Sequence, residues 1–320
     1  MREISHADLI ADGLVEPVVL GGPDERFWLD CDLASLAEHR LGDPTDPRGL
    51  DDARRAHWRA HATADQETSL AAWGPYQEAY WLLEDGQRVG TLALSTTTYG
   101  ARDLRVSSLY VFPEHRGRGV GSRALTRLAA ILGKQRAGFR LDTCWSWQRT
   151  VRFYLRAGLW IYMWKRDLTF CGAATLPKPR IEVGADEATL AVPRGEGWVV
   201  VARARRQGDG LVLDPADQTL ANDPEVGDAY YLADSTLALA IALEGWPLQA
   251  TPGVWGKSYY ADAGAPEALA YKIVMWEAWD RAHGWRVEAP RIAGLRYRTW
   301  EELEAEWAAK EAAYTERKEA

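Results

Sequence analysis

The sequence predicts an α+β (mixed α/β) protein: a mixed, mostly antiparallel sheet flanked by helices, followed by a second mixed α+β domain. Three observations carry this expectation. Short apolar runs of period two succeed one another between residues 79 and 112. From there to residue 170, runs of helical period alternate with strand-like runs. A tract at 171 to 180, with Pro177 and Pro179, then separates that pattern from a new set of elements. At 320 residues and 47% apolar composition the chain can fill two cores, one within residues 1–175 and one within residues 181–320.

Residues 24 to 41 place Leu29, Leu33, Leu36 and Leu41 partly in helical phase, and residues 51 to 64, rich in alanine and charge after Asp51 and Asp52, make a second helix. The proline-containing residues 42 to 49 loop between them, and the two helices form one wall of a cleft. Residues 79 to 83, the turn Glu84-Asp85-Gly86 and residues 88 to 95 read as a hairpin; after Tyr99-Gly100 a strand covers 104 to 112. Leu125, Leu128 and Leu132 repeat at helical spacing within 123 to 135. A short strand at 139 to 143 and a helix at 150 to 156 follow. That helix ends at Ala157-Gly158, where glycine can take the left-handed terminating conformation, and residues 159 to 170 alternate as a last strand.

Beyond the linker, strands are expected at 188 to 192, 197 to 204 and 210 to 213, with another near 286 to 292. Helices are expected at 234 to 244, at 267 to 283 and from Glu301 onward. In the second of these, Pro266 suits the first turn, and Leu269, Ile273, Trp276 and Trp279 form an apolar packing stripe.

The formal net charge of −8 is unevenly distributed: residues 102 to 170 hold 14 basic against 4 acidic residues, while both flanking segments are acidic. Such an island suits a polyanionic small ligand, and the acidic remainder argues against nucleic acid. Cys31, Cys144 and Cys171 are too few and too scattered for a disulfide scaffold or a metal knuckle. His57 and His61 share a helix face without a third ligand, so no metal site is expected. With no basic apolar leader and no stretch apolar enough to span a bilayer, a cytoplasmic protein without membrane attachment is expected.

Residues 111 to 122 read as a strand end, a glycine-rich turn and a helix start. Gly117, Gly119 and Gly121 carry no side chain to block close approach, so successive N–H groups can meet an anion where the helix dipole favours it. The glycine spacing departs from the dinucleotide fingerprint, and a nucleoside-triphosphate loop would need a lysine and serine pair. Led in by Val111-Phe112-Pro113-Glu114-His115-Arg116, the residues Arg116, Gly119 and Gly121 match an Arg/Gln-x-x-Gly-x-Gly/Ala element, and here the chain resembles the GCN5-related N-acetyltransferase (GNAT) family. A second element agrees. Phe153, Tyr154 and Gly158 keep the spacing of the family's Asn-x-x-Ala-x-x-Phe-Tyr-x-x-x-Gly-Phe segment, with Trp147 and Thr150 in place of its Asn and Ala. The resemblance covers residues 76 to 170 and nothing from 171 onward.

The resemblance implies a GNAT-like sheet and acetyl-coenzyme A as the acetyl donor. Its pyrophosphate would lie on the backbone of the turn formed by Arg116, Gly117, Arg118, Gly119, Val120, Gly121, Ser122 and Arg123, with Arg116, Arg118 and Arg123 as the charge complement. Backbone groups from Leu109 to Val111 would polarise the thioester carbonyl, and Tyr154 would protonate the leaving thiolate. The acceptor is expected to be an amine on a small molecule or peptide.

Ser107 and Ser108 stand where several relatives place a carboxylate, which leaves the base open between Glu84, Asp142 and a water held by Ser108. Asp142 has the better location, at a strand end near the cleft. Cys144 lacks a visible His partner, which favours direct transfer in a ternary complex over an acyl-cysteine route. Trp145, Trp147, Trp73, Tyr76, Tyr80 and Trp81 are candidates for an aromatic acceptor wall, with core packing the default for Trp81, and the Trp246 and Trp255 loops for a cover or partner surface. The departures at Trp147 and Thr150 motivate an alternative, a coenzyme-binding interaction or regulatory protein whose chemistry has been lost. Two domains with aromatic loops are also compatible with a homodimer.

Overall fold

The computed structural model describes residues 4–41, 46–61, 77–95, 103–163, 168–208, 210–214, 217–248, 266–282 and 289–319. The period-two runs of the first half become β1 (Val15–Pro17), β2 (Gln77–Glu84), β3 (Gln87–Ser95), β4 (Asp103–Val111), β5 (Gly138–Thr143), β6 (Trp160–Met163) and β7 (Leu168–Ala173). They form one sheet in the order β1-β2-β3-β4-β5-β7-β6, antiparallel at every pairing except β4 with β5. The helices are α1 (Ala7–Ala11), α2 (Pro23–Leu41), α3 (Asp52–His61), α4 (Val120–Lys134) and α5 (Gln148–Ala157). Asp85 and Gly86 join β2 to β3 with φ of 51° and 75°, the two positive values that match a tight turn to right-twisted strands.

Two irregularities in β4 distort the sheet. Its register with β3 passes from Ala93↔Ser108 to Leu94↔Val106, so Ser107 is an extra, bulged residue. Because of that bulge, Val106 and Leu109 share the face packed on the main core, while Ser108, Tyr110 and Phe112 turn toward α2. The parallel pairing with β5 runs only from Asp103↔Gly138 to Val106↔Leu141. Past Val106 the two strands have no shared register, and the sheet parts.

The strand expected over 159 to 170 is instead two antiparallel strands, β6 and β7, with 164–167 outside the described residues. The sequence there carries Lys165, Arg166 and Asp167, a charged break in the apolar run. The expected linker likewise begins inside β7, where Cys171 pairs with both Arg140 and Trp160. The elements α1 and β1 have no counterpart in the sequence expectations.

In the second half, β8 (Arg180–Val183), β9 (Glu187–Arg194), β10 (Gly197–Gln207) and β11 (Gly210–Asp214) form an antiparallel sheet in the order β11-β10-β9-β8. Three helices follow: α6 (Gly227–Leu243), α7 (Pro266–Ala282) and α8 (Trp300–Glu319). Residues 289 to 292 are not the expected strand. The backbone N–H groups of Ala289 and Ile292 are taken by side chains, Glu277 Oε1 at 2.9 Å and Tyr297 Oη at 2.8 Å, and Pro290 has no N–H to offer a ladder.

α6 is buried continuously from Ala233 to Leu243, as its all-round apolar composition requires. It packs on β6, β9 and β10, and one apolar cluster runs from Leu94, Phe139 and Phe170 through to Leu190, Leu237 and Ile241. β6 is an edge strand, and its Ile161 N–H is satisfied by Thr236 Oγ1 of α6 at 3.0 Å. A second cluster, with Trp28, Cys31, Trp81, Tyr110 and Phe112, fixes α2 against the opposite face of the main sheet. Among the described residues no helix is long and apolar enough to cross a membrane.

Candidate active site

Where β4 and β5 part, a cleft of about 890 Å³ opens between α2, the start of α4 and α5. Its floor is the stretch of β4 from Val106 to Val111, so Ser108, Leu109 and Val111 all line it.

The glycine turn closes one end. Gly117 and Gly119 adopt left-handed φ of 74° and 79°, and Gly119 is the N-cap of α4 with no side-chain cap bond, so the first N–H groups of the helix are left for a ligand. Gly121 answers a packing need: a Cβ there would lie 2.9 Å from Phe153 Cζ of α5. Arg116, Gly117, Gly119, Val120, Gly121 and Ser122 line the cleft.

The arginines divide differently from the expectation. Arg118 and Arg123 do not line the cleft. Arg123 pairs with Glu84 at 2.8 Å, and its Nη1 donates to the Arg118 carbonyl at 2.7 Å, which also takes Glu84 away from the acceptor side. Arg116 braces the turn: Nε donates to Val111 O at 2.8 Å, Nη1 meets Glu38 at 2.7 Å, and the guanidinium lies 4.9 Å from the Tyr110 ring. Two cations that sequence reasoning passed over, Arg149 and Arg156 of α5, do line the cleft. Helical period on either side of Phe153 was the available signal. Arg149 also reaches Glu38, at 3.1 Å.

Tyr154 lines the cleft although only 9% exposed, with the rings of Phe153 and Phe170 each 5.2 Å away. Burial pushes its phenol well above the ordinary range. Asp142 lines the cleft too, with its carboxylate committed: Thr169 Oγ1 donates to Oδ1 at 2.6 Å, and Arg105 stands 3.1 Å from Oδ2. Ser108 Oγ donates at 2.8 Å to Asp32 of α2. Asp32, another lining residue, was missed by sequence reasoning because nothing within α2 marks it as facing β4. Burial raises its pKa, with the Ser108 hydrogen bond acting in the opposite direction.

Of the expected acceptor wall, Trp147 lines the cleft. Trp145 is instead buried, its Nε1 donating to Pro290 O at 2.6 Å, while Tyr80 and Trp81 are core residues on β2. Their apolar area outweighs any use at a rim. Trp73, Tyr76 and Trp255 lie outside the described residues. Among the described residues, no cluster of three or more His, Cys, Asp or Glu side chains is placed to hold a metal.

Residues 76–158 match the family model described as an acetyltransferase (GNAT) domain. Among solved structures, the chain is similar to the PaiA N-acetyltransferase from Thermoplasma acidophilum in complex with coenzyme A, at 15% identity over 54% of this chain and 96% of that chain, with a TM-score of 0.33. It is similar to an acetyltransferase from Thermus thermophilus at 19% identity, covering 49% of this chain and 94% of that chain, with a TM-score of 0.33. It is also similar to Tetrahymena GCN5 at 14% identity, covering 45% and 78% respectively, with a TM-score of 0.28. No curated protein matches the chain.

Proposed function

Since residues 76–158 are a GNAT-type acetyltransferase domain, we propose that the protein transfers an acetyl group from acetyl-coenzyme A to the amine of a small molecule or peptide, by direct attack in a ternary complex. One observation carries this reading. A single cleft holds both a left-handed glycine turn opening onto α4 and the buried phenol of Tyr154, beside the parting of β4 and β5.

In this mechanism the coenzyme pyrophosphate lies on the N–H groups that open α4, and Arg149 and Arg156 supply positive charge from α5. The acyl-pantetheine arm enters the gap between the strands, where backbone N–H groups over Leu109 to Val111 polarise the thioester carbonyl. As the amine nitrogen bonds to the carbonyl carbon, the C–S bond breaks and the thiolate takes a proton from Tyr154. A phenol with a raised pKa stays protonated across neutral pH, as that role requires.

Residues 181–320 take the role of a scaffold for α5. In support, Arg152 of α5 binds Glu244 and the Leu243 carbonyl, both at 2.5 Å, at the end of α6. The Trp145–Pro290 bond and the Thr236–Ile161 bond tie the adjoining strand ends to the same half.

The test is thiol release from acetyl-coenzyme A with a panel of amines, run beside a coenzyme binding isotherm. Tyr154→Phe should lower kcat by about 10²–10⁴-fold with coenzyme affinity unchanged. Wild-type turnover by that variant across the pH profile removes Tyr154 from the acid role. Coenzyme binding without thiol release for any amine selects a regulatory coenzyme-binding protein, and absence of binding refutes both readings.

A further inference from the structure

The sequence left the proton acceptor open, and the structure narrows it by what each carboxylate already does. Glu84 is held by Arg123 away from the cleft. Asp142 is engaged by the Arg105 guanidinium and the Thr169 hydroxyl, Glu38 is shared by Arg116 and Arg149, and Asp30 is buried against Arg55 at 2.8 Å. Of the other titratable groups packed around this part of α2, Cys31 and Tyr110 are pushed up by burial and stay protonated at neutral pH. Asp32 is different: it lines the cleft, and among the described residues its carboxylate has no cationic partner, only the Ser108 hydroxyl.

From this juxtaposition we infer that Asp32 is the general base of the transfer, reached through Ser108 as a proton relay. The inference rests on the acetyl-transfer reading above. Ser108 immediately follows the bulged Ser107, so the distortion that aims it toward α2 belongs to the same strand that floors the cleft. Its hydroxyl proton is given to Asp32, which leaves the Ser108 oxygen lone pairs to receive a proton from the cleft side.

The proton count closes. A neutral amine attacks the thioester carbonyl carbon; as the C–N bond forms, its nitrogen gives one proton to Ser108 Oγ while the Ser108 proton passes to Asp32. The C–S bond breaks, and the sulfur takes one proton from Tyr154. Solvent then returns a proton from Asp32 to the phenolate, leaving amide and thiol. A carboxylate surrounded by protein is a stronger base than an exposed one, in keeping with its raised pKa.

The experiment uses the full chain, acetyl-coenzyme A and a panel of aliphatic mono- and diamines. Asp32→Asn, close to isosteric, should lower kcat by about 100-fold or more, with the KM for acetyl-coenzyme A and the coenzyme isotherm unchanged. Ser108→Ala should fall in the same direction, and Asp32→Glu should recover part of the loss. A fall of less than about tenfold in Asp32→Asn, below what a base supplies, overturns the assignment. So does a KM for acetyl-coenzyme A that rises in step with the fall. If wild type releases thiol with none of the amines, the transfer reading fails on its own, and Asp32 is then read by carbon NMR titration of its carboxyl group. A midpoint at or below the ordinary value of about 3.9, or one that does not move in Ser108→Ala, overturns the Asp32–Ser108 relay, and a raised midpoint that moves in Ser108→Ala supports that relay alone.

Discussion

Thr236→Val isolates the bond that ties the seven-stranded sheet to the C-terminal half. Thr236 is fully buried in α6; its Oγ1 accepts from Ile161 N at 3.0 Å and donates to Leu232 O at 2.8 Å. Valine has nearly the same shape, so packing is kept and only the hydroxyl is lost. The Leu232 carbonyl retains its own helical partner, whereas the N–H of Ile161, a residue fully shielded from solvent, is left with none. An unsatisfied buried donor costs about 1–3 kcal/mol. At about 2.1 cal/mol/K per residue, the 320-residue chain unfolding as one unit has an entropy of about 0.7 kcal/mol/K, so the melt should fall by about 1.5–4.5 °C. Differential scanning calorimetry reads this directly, with Thr236→Ser, which keeps the hydroxyl, as the control. A larger shift confined to one of two transitions would mean that the two halves unfold separately. The reasoning fails if Thr236→Val melts with wild type, or if the serine variant is the less stable of the two.

Gly121→Val drives a side chain into Phe153, whose Cζ lies 2.9 Å from the position of a Cβ. Overpacking of this kind costs about 1–3 kcal/mol, and because Phe153 lines the cleft, isothermal titration should show weaker coenzyme A binding; unchanged affinity would place the coenzyme elsewhere. Asp24 bears on acid stability. The Arg88 hydrogen bond, outweighing burial and helped by Trp81, holds its carboxyl below the usual range. With the folded pKa below the unfolded one, this contribution is complete above about pH 4 and is lost as the pH falls through the folded value. The melting temperatures of wild type and Asp24→Asn should therefore converge on acidification, and a gap that persists in acid refutes the linkage.

Much of the scaffold was readable along the chain because its determinants are local. The Asp85-Gly86 hairpin turn, the strands at β2 to β5, the left-handed glycines before α4 and the Gly158 stop of α5 each depend on residues within a few positions of one another. The split into β6 and β7 was less clear, since alternation on either side of a charged break reads as one run. Trp145 and Tyr80 show the limit of composition: an aromatic residue near a cleft in sequence can face either side of its element, and these face the core.

The α+β pattern, the turn that opens α4 and the Phe153-Tyr154 pair follow from residue order alone, since backbone conformation and periodicity are set by neighbours. Which charges face the cleft depends on how distant segments pack. Arg123 and Glu84 are 39 positions apart in the chain, Arg116 and Glu38 are 78 apart, and Ser108 and Asp32 are 76 apart. Each pairing is made by packing, the last with the help of the bulge in β4, and neither cause leaves a mark on the residues next to Asp32. An ion pair or relay between distant segments costs nothing in local pattern, so it becomes visible only once the sheet brings the segments together.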